Sequence, residues 1–180
     1  DFNGHVNLDG PAGKGGTLLL DPLAIVINGG ALAKADDGQL PTTVFDTDPS
    51  NTYQISEGAL EAISSGTVTL DARQSISTNG TFDNVTGNAG DAGGVLAFQS
   101  GVNVLMRTRN DPLSGSGDDG SGSINLSPIH VKTDVGNITL TAGTGASGGN
   151  KGDVTVGALT TQNSGTVSLS ASGTAPTLRS

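Results

Sequence analysis

The chain has 180 residues, including 29 glycines and no cysteine, and its 17 acidic and 8 basic residues give a net charge of −9. These figures exclude disulfides and thiolate metal sites, and the basic residues are too scattered to form a phosphate-binding stripe, so we expect no nucleic-acid binding. No apolar run approaches the roughly 20 residues that span a bilayer, so we expect no membrane insertion.

A short glycine-led phrase recurs along the whole chain. It consists of a glycine, usually a small polar residue, and then apolar and polar residues in alternation, which is typical of a half-buried β-strand after a turn. Repetition of one such unit predicts a stacked β architecture. The copies are GHVNLDG from Gly4, GTLLLDP from Gly16, GTVTLDA from Gly66, GGVLAFQ from Gly93, GSINLSP from Gly122, GNITLTA from Gly136, GDVTVGA from Gly152 and GTVSLSA from Gly165.

Two stretches interrupt this rhythm. Residues 28–52 lack alternation and contain two prolines and several aspartates, so we expect a long surface excursion from one corner. Residues 56–65 predict a short helical turn, with Ser56 as N-cap, Leu60 and Ile63 as an i,i+3 apolar pair, and Gly66 ending it. We expect this turn to cover an apolar edge of the stack.

The later copies repeat at a regular spacing. The steps from Gly122 to Gly136, Gly152 and Gly165 are 14, 16 and 13 residues, and earlier steps are about twice as long. We interpret one strand plus one corner as the unit, and two units as one rung of roughly 28 residues. Segments 87–94, 114–122 and 143–152 are Gly-rich corners, although linkers between hairpins would have a similar composition.

The alternation also predicts which side chains point inward. We expect Leu140→Asp to abolish cooperative unfolding, because it would bury a carboxylate among these side chains, and an unchanged thermal melt would reject the assignment. The predicted core consists of Val68, Leu70, Val95, Val102, Val104, Met106, Ile124, Leu126, Ile138, Leu140, Val154, Val156, Val167 and Leu169.

Residues 15–30 (GGTLLLDPLAIVINGG) and 52–80 (TYQISEGALEAISSGTVTLDARQSISTNG) resemble filamentous-haemagglutinin-like bacterial adhesins of the two-partner secretion type. The match is carried by Leu18 to Pro22, by Gly66 to Ala72 and by Ile76, and the later repeats have the same style. The resemblance implies a right-handed parallel β-helix at a bacterial cell surface. The Asn-Pro-Asn signatures of that family's secretion domain are missing, which implies an interior piece of a longer precursor.

Candidate sites are few. Oxygen-rich loops suit Ca²⁺, but neither an EF-hand nor a tandem calcium repeat is present, so solvated turn residues are the alternative to loop calcium. His5 and His130 form no metal signature, and we expect His130 to face outward between Ile129 and Val131. Arg107 and Arg109 share one strand face, where they would pair with a neighbouring carboxylate, bind an acidic glycan or simply be solvated. The carboxylate clusters are Asp36/Asp37, Asp46/Asp48, Asp83/Asp91 and Asp111/Asp118/Asp119.

From these features we expect residues 1–180 to form a single all-β unit, a right-handed parallel β-helix that forms part of a longer chain. Its expected function is that of a non-catalytic segment of an extracellular bacterial adhesin or surface fibre, without cofactor, that contacts a cell-surface glycan or protein. The excursion and corner loops would make those contacts. Two alternatives remain open: a self-assembling filament subunit, and a β-helix enzyme acting on polysaccharides, which would require paired carboxylates and aromatic sugar platforms.

Overall fold

The computed structural model describes residues 17–20, 23–30, 32–40, 52–82, 94–109, 122–144 and 152–171. Within this part, strands dominate and the helical elements are short. One α-helix, α1, spans Glu57–Glu61, and one 3-10 helix spans Asp37–Gln39. The strands are β1 (Thr17–Leu20), β2 (Ala24–Asn28), β3 (Thr52–Ser56), β4 (Thr67–Ala72), β5 (Ser75–Asn79), β6 (Val95–Ala97), β7 (Asn103–Arg109), β8 (Ser123–Asp134), β9 (Ile138–Thr144), β10 (Val154–Gln162) and β11 (Val167–Ala171).

The strands form two sheets, and every strand pairing in the described ranges is parallel. The first sheet has the order β1-β4-β7-β9-β11. The second has the order β3-β2-β5-β8-β10, and β6 is added beside the second half of β8. The chain alternates between the two sheets, and each pass, meaning one circuit through both, adds a strand to each sheet. The strands therefore stack in the order in which they occur in the sequence. The one exception is β3, which follows β2 in the sequence but lies on the outer side of β2.

The core lies between the sheets and is mainly aliphatic. Inward side chains of successive strands stack in register, for example Val68 on Val104 and Leu70 on Met106. All four of these are at most 1% exposed. The predicted core is confirmed for twelve of its fourteen members: Val68, Leu70, Val95, Val102, Val104, Met106, Ile124, Leu126, Ile138, Leu140, Val154 and Val156.

The prediction that Val167 is a core residue was wrong, and Leu169 is only partly buried. Both side chains are on the inward side of β11, because Val167 pairs with the buried Ile138 and Leu169 pairs with the buried Leu140. However, β11 is the edge strand of the first sheet, no other described strand lies over its outer side, and Val167 remains 43% exposed.

The predicted rung was right in length only for the last pass. Asn137 and Thr166, bonded across one step of the first sheet, are 29 residues apart, whereas Asn103 and Asn137 are 34 apart. Each later pass also holds three strand segments rather than two. In β8, the first half pairs with β5 and the second half pairs with β6. The strand continues beyond Pro128 because Ile129 and Val131 are again buried inward residues two positions apart.

The helical turn is confirmed at its start and shorter than predicted at its end. Ser56 caps α1, its hydroxyl oxygen accepting from the Ala59 N–H at 3.1 Å, and Leu60 is fully buried. The helix ends at Glu61 rather than near residue 65, since Ser64 and Ser65 are poor helix formers that favour bonds to nearby backbone. Gly66 lies beyond the helix, at the corner before β4.

The repeated glycine has a packing reason in the stack. A Cβ on Gly136 would overlap the Val102 carbonyl oxygen, and one on Gly152 would overlap the Gly122 carbonyl oxygen. Successive corners therefore approach too closely for any side chain. Beside Gly136, an amide ladder joins the corners: Asn137 donates to Asn103 Oδ1 at 3.1 Å, and the Thr166 hydroxyl donates to Asn137 Oδ1 at 2.8 Å.

Candidate functional site

The excursion begins later and ends earlier than predicted, since Asn28 belongs to β2 and Thr52 to β3. Its longest described part, residues 32–40, lies along the free edge of β3. Asp36 forms a short strand-like contact there: its N–H donates to the Gln54 carbonyl at 3.2 Å, and its Oδ2 accepts from the Gln54 N–H at 2.7 Å. Asp37 accepts from the Ser56 N–H and the Ser56 hydroxyl, both at 2.6 Å, and from the Lys34 N–H at 2.7 Å. These two aspartates therefore occupy the backbone groups with which another strand would pair.

Helix α1 closes a second edge at the same end of the stack. The Phe98 N–H bonds to β8 through the Lys132 carbonyl, so the Ala97 N–H points to the other side of β6. There it donates to Glu61 Oε1 at 2.7 Å, and the Gln99 side chain donates to the Glu61 carbonyl at 3.0 Å. The expectation that the helical turn covers an edge is confirmed in this sense.

Glu57 ties the excursion to the helix. Its side chain is 1% exposed although it is the first residue of α1, and its Oε2 accepts from the Gly30 N–H. A carboxylate in the first turn is also favoured by the helix dipole. The excursion is thus held at Gly30 and at the 36–37 pair, so this part of it is a docked cap rather than a free loop.

One large apolar side chain of the cap remains in solvent. Leu32 is 80% exposed, more than any other large hydrophobic residue of the described ranges, and Ala33 beside it is also exposed. Single exposed apolar side chains are ordinary on protein surfaces, so exposure alone does not mark a binding site. Leu32 is a candidate contact residue because it combines the highest such exposure in the described ranges with a position on an anchored segment.

The metal hypothesis gains no support in the described ranges, which contain no group of three or more His, Asp or Glu able to hold an ion. Asp36 and Asp37 use their oxygens to accept backbone hydrogen bonds, as described above. The remaining carboxylate clusters, Asp46/Asp48, Asp83/Asp91 and Asp111/Asp118/Asp119, lie outside the described residues, as do most of the three predicted corners and His5.

Arg107 does pair with a carboxylate on a neighbouring strand, which was one of the open interpretations. It faces Asp71 across β4 and β7, and Nη2 donates to Asp71 Oδ2. Asp71 is fully buried while the Arg107 side chain is 35% exposed. Both point away from the core by alternation, so the outer face of β4 is itself covered at this point. The side chain of Arg109 lies outside the described part.

His130 faces outward as predicted, since Ile129 and Val131 on either side are buried. Its Nε2 lies 2.7 Å from Thr160 Oγ1, the hydroxyl of the neighbouring strand β10. The ring is therefore part of the bonding between two strands.

The three aromatic residues of the described ranges are buried: Tyr53 at 7% exposure, Phe82 and Phe98 at 5%. None of these rings is available as a flat platform for a sugar. Phe2 and Phe45 lie outside the described residues.

No protein-family model matches the chain, and comparisons with curated proteins and with solved structures gave no match. Among the described residues, no helix has the length and apolar character required to cross a membrane. The fold and the contacts above are thus the observations on which a functional interpretation rests.

Proposed function

We propose that this chain is a right-handed parallel β-helix that serves as a non-catalytic segment of an extracellular bacterial adhesin or surface fibre. The observation that carries the proposal is the all-parallel, in-register stacking of strands from successive passes, with one end covered by the excursion and α1. Such a stack supplies length and rigidity, because each pass contacts only its neighbours and adds height without enlarging the cross-section.

Two features support a structural role over the enzymatic alternative. The described aspartates with defined partners serve the edge of β3 (Asp36 and Asp37), pair with Arg107 (Asp71) or accept from Ser100 and Asn163 at a corner (Asp134). The described aromatic rings are buried. Incubation of the purified chain with a panel of polysaccharides should therefore release no oligosaccharide. Measurable depolymerisation would restore the enzyme hypothesis.

The second end of the stack supports the proposal that the segment belongs to a longer fibre. The described strands there, β10 and β11, contain no charged residue and no proline, the usual devices that prevent edge pairing. Their inward side chains Leu159, Leu169 and Ala171 are only partly buried. This end is suited to another β layer, whereas at the first end carboxylates cover the edges of β3 and β6.

Adhesion would use the anchored excursion, with Leu32 as the contact residue. Fluorescent beads coated with the purified chain should bind erythrocytes or epithelial monolayers more than albumin-coated beads do, and Leu32→Ser should weaken that binding. Val135→Ser is the matched control, because Val135 is also an exposed apolar residue, at 45%, but lies at the corner after β8 rather than on the excursion. If wild-type beads bind no better than albumin beads, the adhesive part of the proposal fails.

A further inference from the structure

Two Asn-Gly dipeptides lie side by side in the second sheet. β2 ends in Asn28 followed by Gly29, β5 ends in Asn79 followed by Gly80, and Asn28 faces Asn79 in the parallel register. In an Asn-Gly sequence the glycine nitrogen can attack the asparagine side-chain carbonyl, since glycine has no Cβ to shield the nitrogen or restrict the backbone rotation. The structure treats these two identical sequences differently.

Asn28 is held in an unreactive arrangement. It is 6% exposed, and its Nδ2 donates to Gln54 Oε1 at 2.8 Å and to the Val26 carbonyl at 3.1 Å. The attacking group, the Gly29 N–H, donates to the Asn79 carbonyl at 2.8 Å. Gly29 also packs against the Thr81 backbone without room for a Cβ, so the rotation needed for attack is blocked.

Asn79 is restrained less, although its carbonyl accepts from the Gly29 N–H. Both Asn79 and Gly80 are exposed, and a Cβ on Gly80 would lie no closer than 3.7 Å to any atom. No hydrogen bond from the Gly80 N–H is found within the part of the chain that the structure describes. The Asn79 side chain donates one long hydrogen bond, 3.4 Å, to Asn28 Oδ1.

We propose that Asn79 is a self-modification site at which the chain deamidates without an enzyme. The Gly80 nitrogen loses its proton to solvent and forms a bond to Asn79 Cγ. The Cγ–Nδ2 bond breaks and ammonia leaves, giving a five-membered succinimide. Water then adds to either ring carbonyl, and the ring opens to aspartate or isoaspartate at position 79.

The product weakens the β2–β5 pairing. A carboxylate at position 79 no longer donates to Asn28 Oδ1 but places oxygen against oxygen. Asn28 has no simple compensation, because its amide nitrogen already serves Gln54 and Val26. Isoaspartate in addition lengthens the backbone by one atom, which displaces the carbonyl that accepts from Gly29. Deamidation therefore loosens the stack next to its covered end, on the timescale of the chemistry.

The test follows both sites by peptide mass spectrometry during incubation of the folded chain at mildly alkaline pH. A sample in denaturant gives the rate of each site without structure. In the folded chain, Asn79 should convert at close to its denatured rate, while Asn28 should be slowed about tenfold or more, since reaction there requires at least two hydrogen bonds to open. Equal rates at the two sites, or no conversion at Asn79, would overturn the proposal.

Two variants separate the reaction from its consequence. Asn79→Gln keeps an amide but disfavours ring closure, so it should abolish conversion at position 79 and leave the thermal midpoint near that of the wild type. Asn79→Asp mimics one product and should lower the midpoint relative to Asn79→Gln. If the Asp variant melts like the Gln variant, the proposed loosening is wrong. The deamidation rates measured by mass spectrometry on the wild-type chain test the modification itself, whatever the variants do to stability.

Discussion

At the scale of single residues, the glycine of the repeated phrase is fixed by contact between successive corners. Gly136 has an ordinary backbone conformation, but an added Cβ would overlap the Val102 carbonyl oxygen and lie 2.7 Å from Thr133 Oγ1. Gly101 is the opposite case: its φ is +82°, and the space around it is open. A side chain at position 136 would therefore be opposed by steric overlap, whereas one at position 101 would be opposed by backbone strain.

We predict that Gly136→Ala destabilises the chain far more than Gly101→Ala. Alanine at position 101 pays the cost of a left-handed conformation, about 1 kcal/mol. Alanine at position 136 forces two backbones apart and also strains the Thr133 hydroxyl bond to the Val102 carbonyl, 3.0 Å long. Denaturant unfolding measures both free energies. Equal losses at the two positions would show that contact between corners does not fix the glycine.

The pair Asp71–Arg107 gives a second residue-scale prediction. Arg107→Met should leave the fully buried Asp71 without its cation and lower the free energy of unfolding. The loss should be less than the roughly 3–5 kcal/mol for breaking a fully buried pair, because Arg107 is 35% exposed. Replacing both residues, as in Asp71→Val with Arg107→Met, should recover much of it in the same assay. A double variant with a lower free energy of unfolding than Arg107→Met alone would contradict this argument.

Alternation placed twelve of the fourteen predicted core residues correctly, because the period of two is a local property of each strand, but the prediction left out other buried residues such as Ile25, Ile27 and Ile55. The same rule assigns Thr69 and Asp71 to the outer face, yet both are at most 2% exposed. What covers an outer face depends on distant parts of the chain. For this reason the sequence indicated that Arg107 had carboxylate partners to choose from but could not single out Asp71.

At the scale of elements, the excursion shows how a polar segment without alternation can be structurally necessary. From the sequence its aspartates are either calcium ligands or solvated turn residues, since nothing local links them to residues 52–56. In the fold, Asp36 and Asp37 complete the bonding of an edge strand. Strand β3 itself was not predicted, because Thr52–Ser56 is short and merges into the N-cap of α1.

We predict that Asp37→Ala exposes the edge of β3. The substitution removes the acceptor of three hydrogen bonds and leaves the N–H of Ser56, a residue that is 2% exposed, without a partner. The free energy of unfolding should fall by about 1–3 kcal/mol. Hydrogen exchange at Gln54 and Ser56 should accelerate in the same variant.

Asp153→Ala is the matched control for this experiment, since it removes the same charge from an exposed position in front of β10. It should change neither the exchange at β3 nor the unfolding free energy appreciably. If Asp37→Ala behaves like Asp153→Ala, the excursion does not hold the edge.

At the scale of the whole molecule, the recurrence of one phrase predicted stacked strands, and the parallel sheets agree with it. The phrase could not predict the difference between the two ends. That difference depends on which edges other segments cover: β3 and β6 are covered by carboxylates, whereas β10 and β11 carry no charge that would prevent pairing. A stack of similar repeats has similar edges at both ends, so a difference between the ends must come from the non-repeating segments.

This asymmetry makes a prediction about assembly. The isolated chain should remain monomeric, because the open end of one copy meets the covered end of the next. The triple variant Asp36→Ala, Asp37→Ala, Glu61→Ala frees the edges of β3 and β6, which can then pair in parallel with the two halves of β10 of another copy, while β11 of that copy meets β1. Such a contact joins unlike surfaces and repeats without closing, so it should give chains rather than dimers.

Light scattering and negative-stain images of folded protein distinguish the outcomes. The triple variant should form rods several molecules long, whereas the wild type should not. Adding Ser168→Lys and Ser170→Lys, both at exposed positions of β11, should return the triple variant to monomers, because an edge strand bearing lysines resists pairing. Filaments from the wild type would show that the cap does not close the first end, and the self-assembling alternative would then be preferred. A folded triple variant that stays monomeric would show that the uncharged end is not a pairing surface.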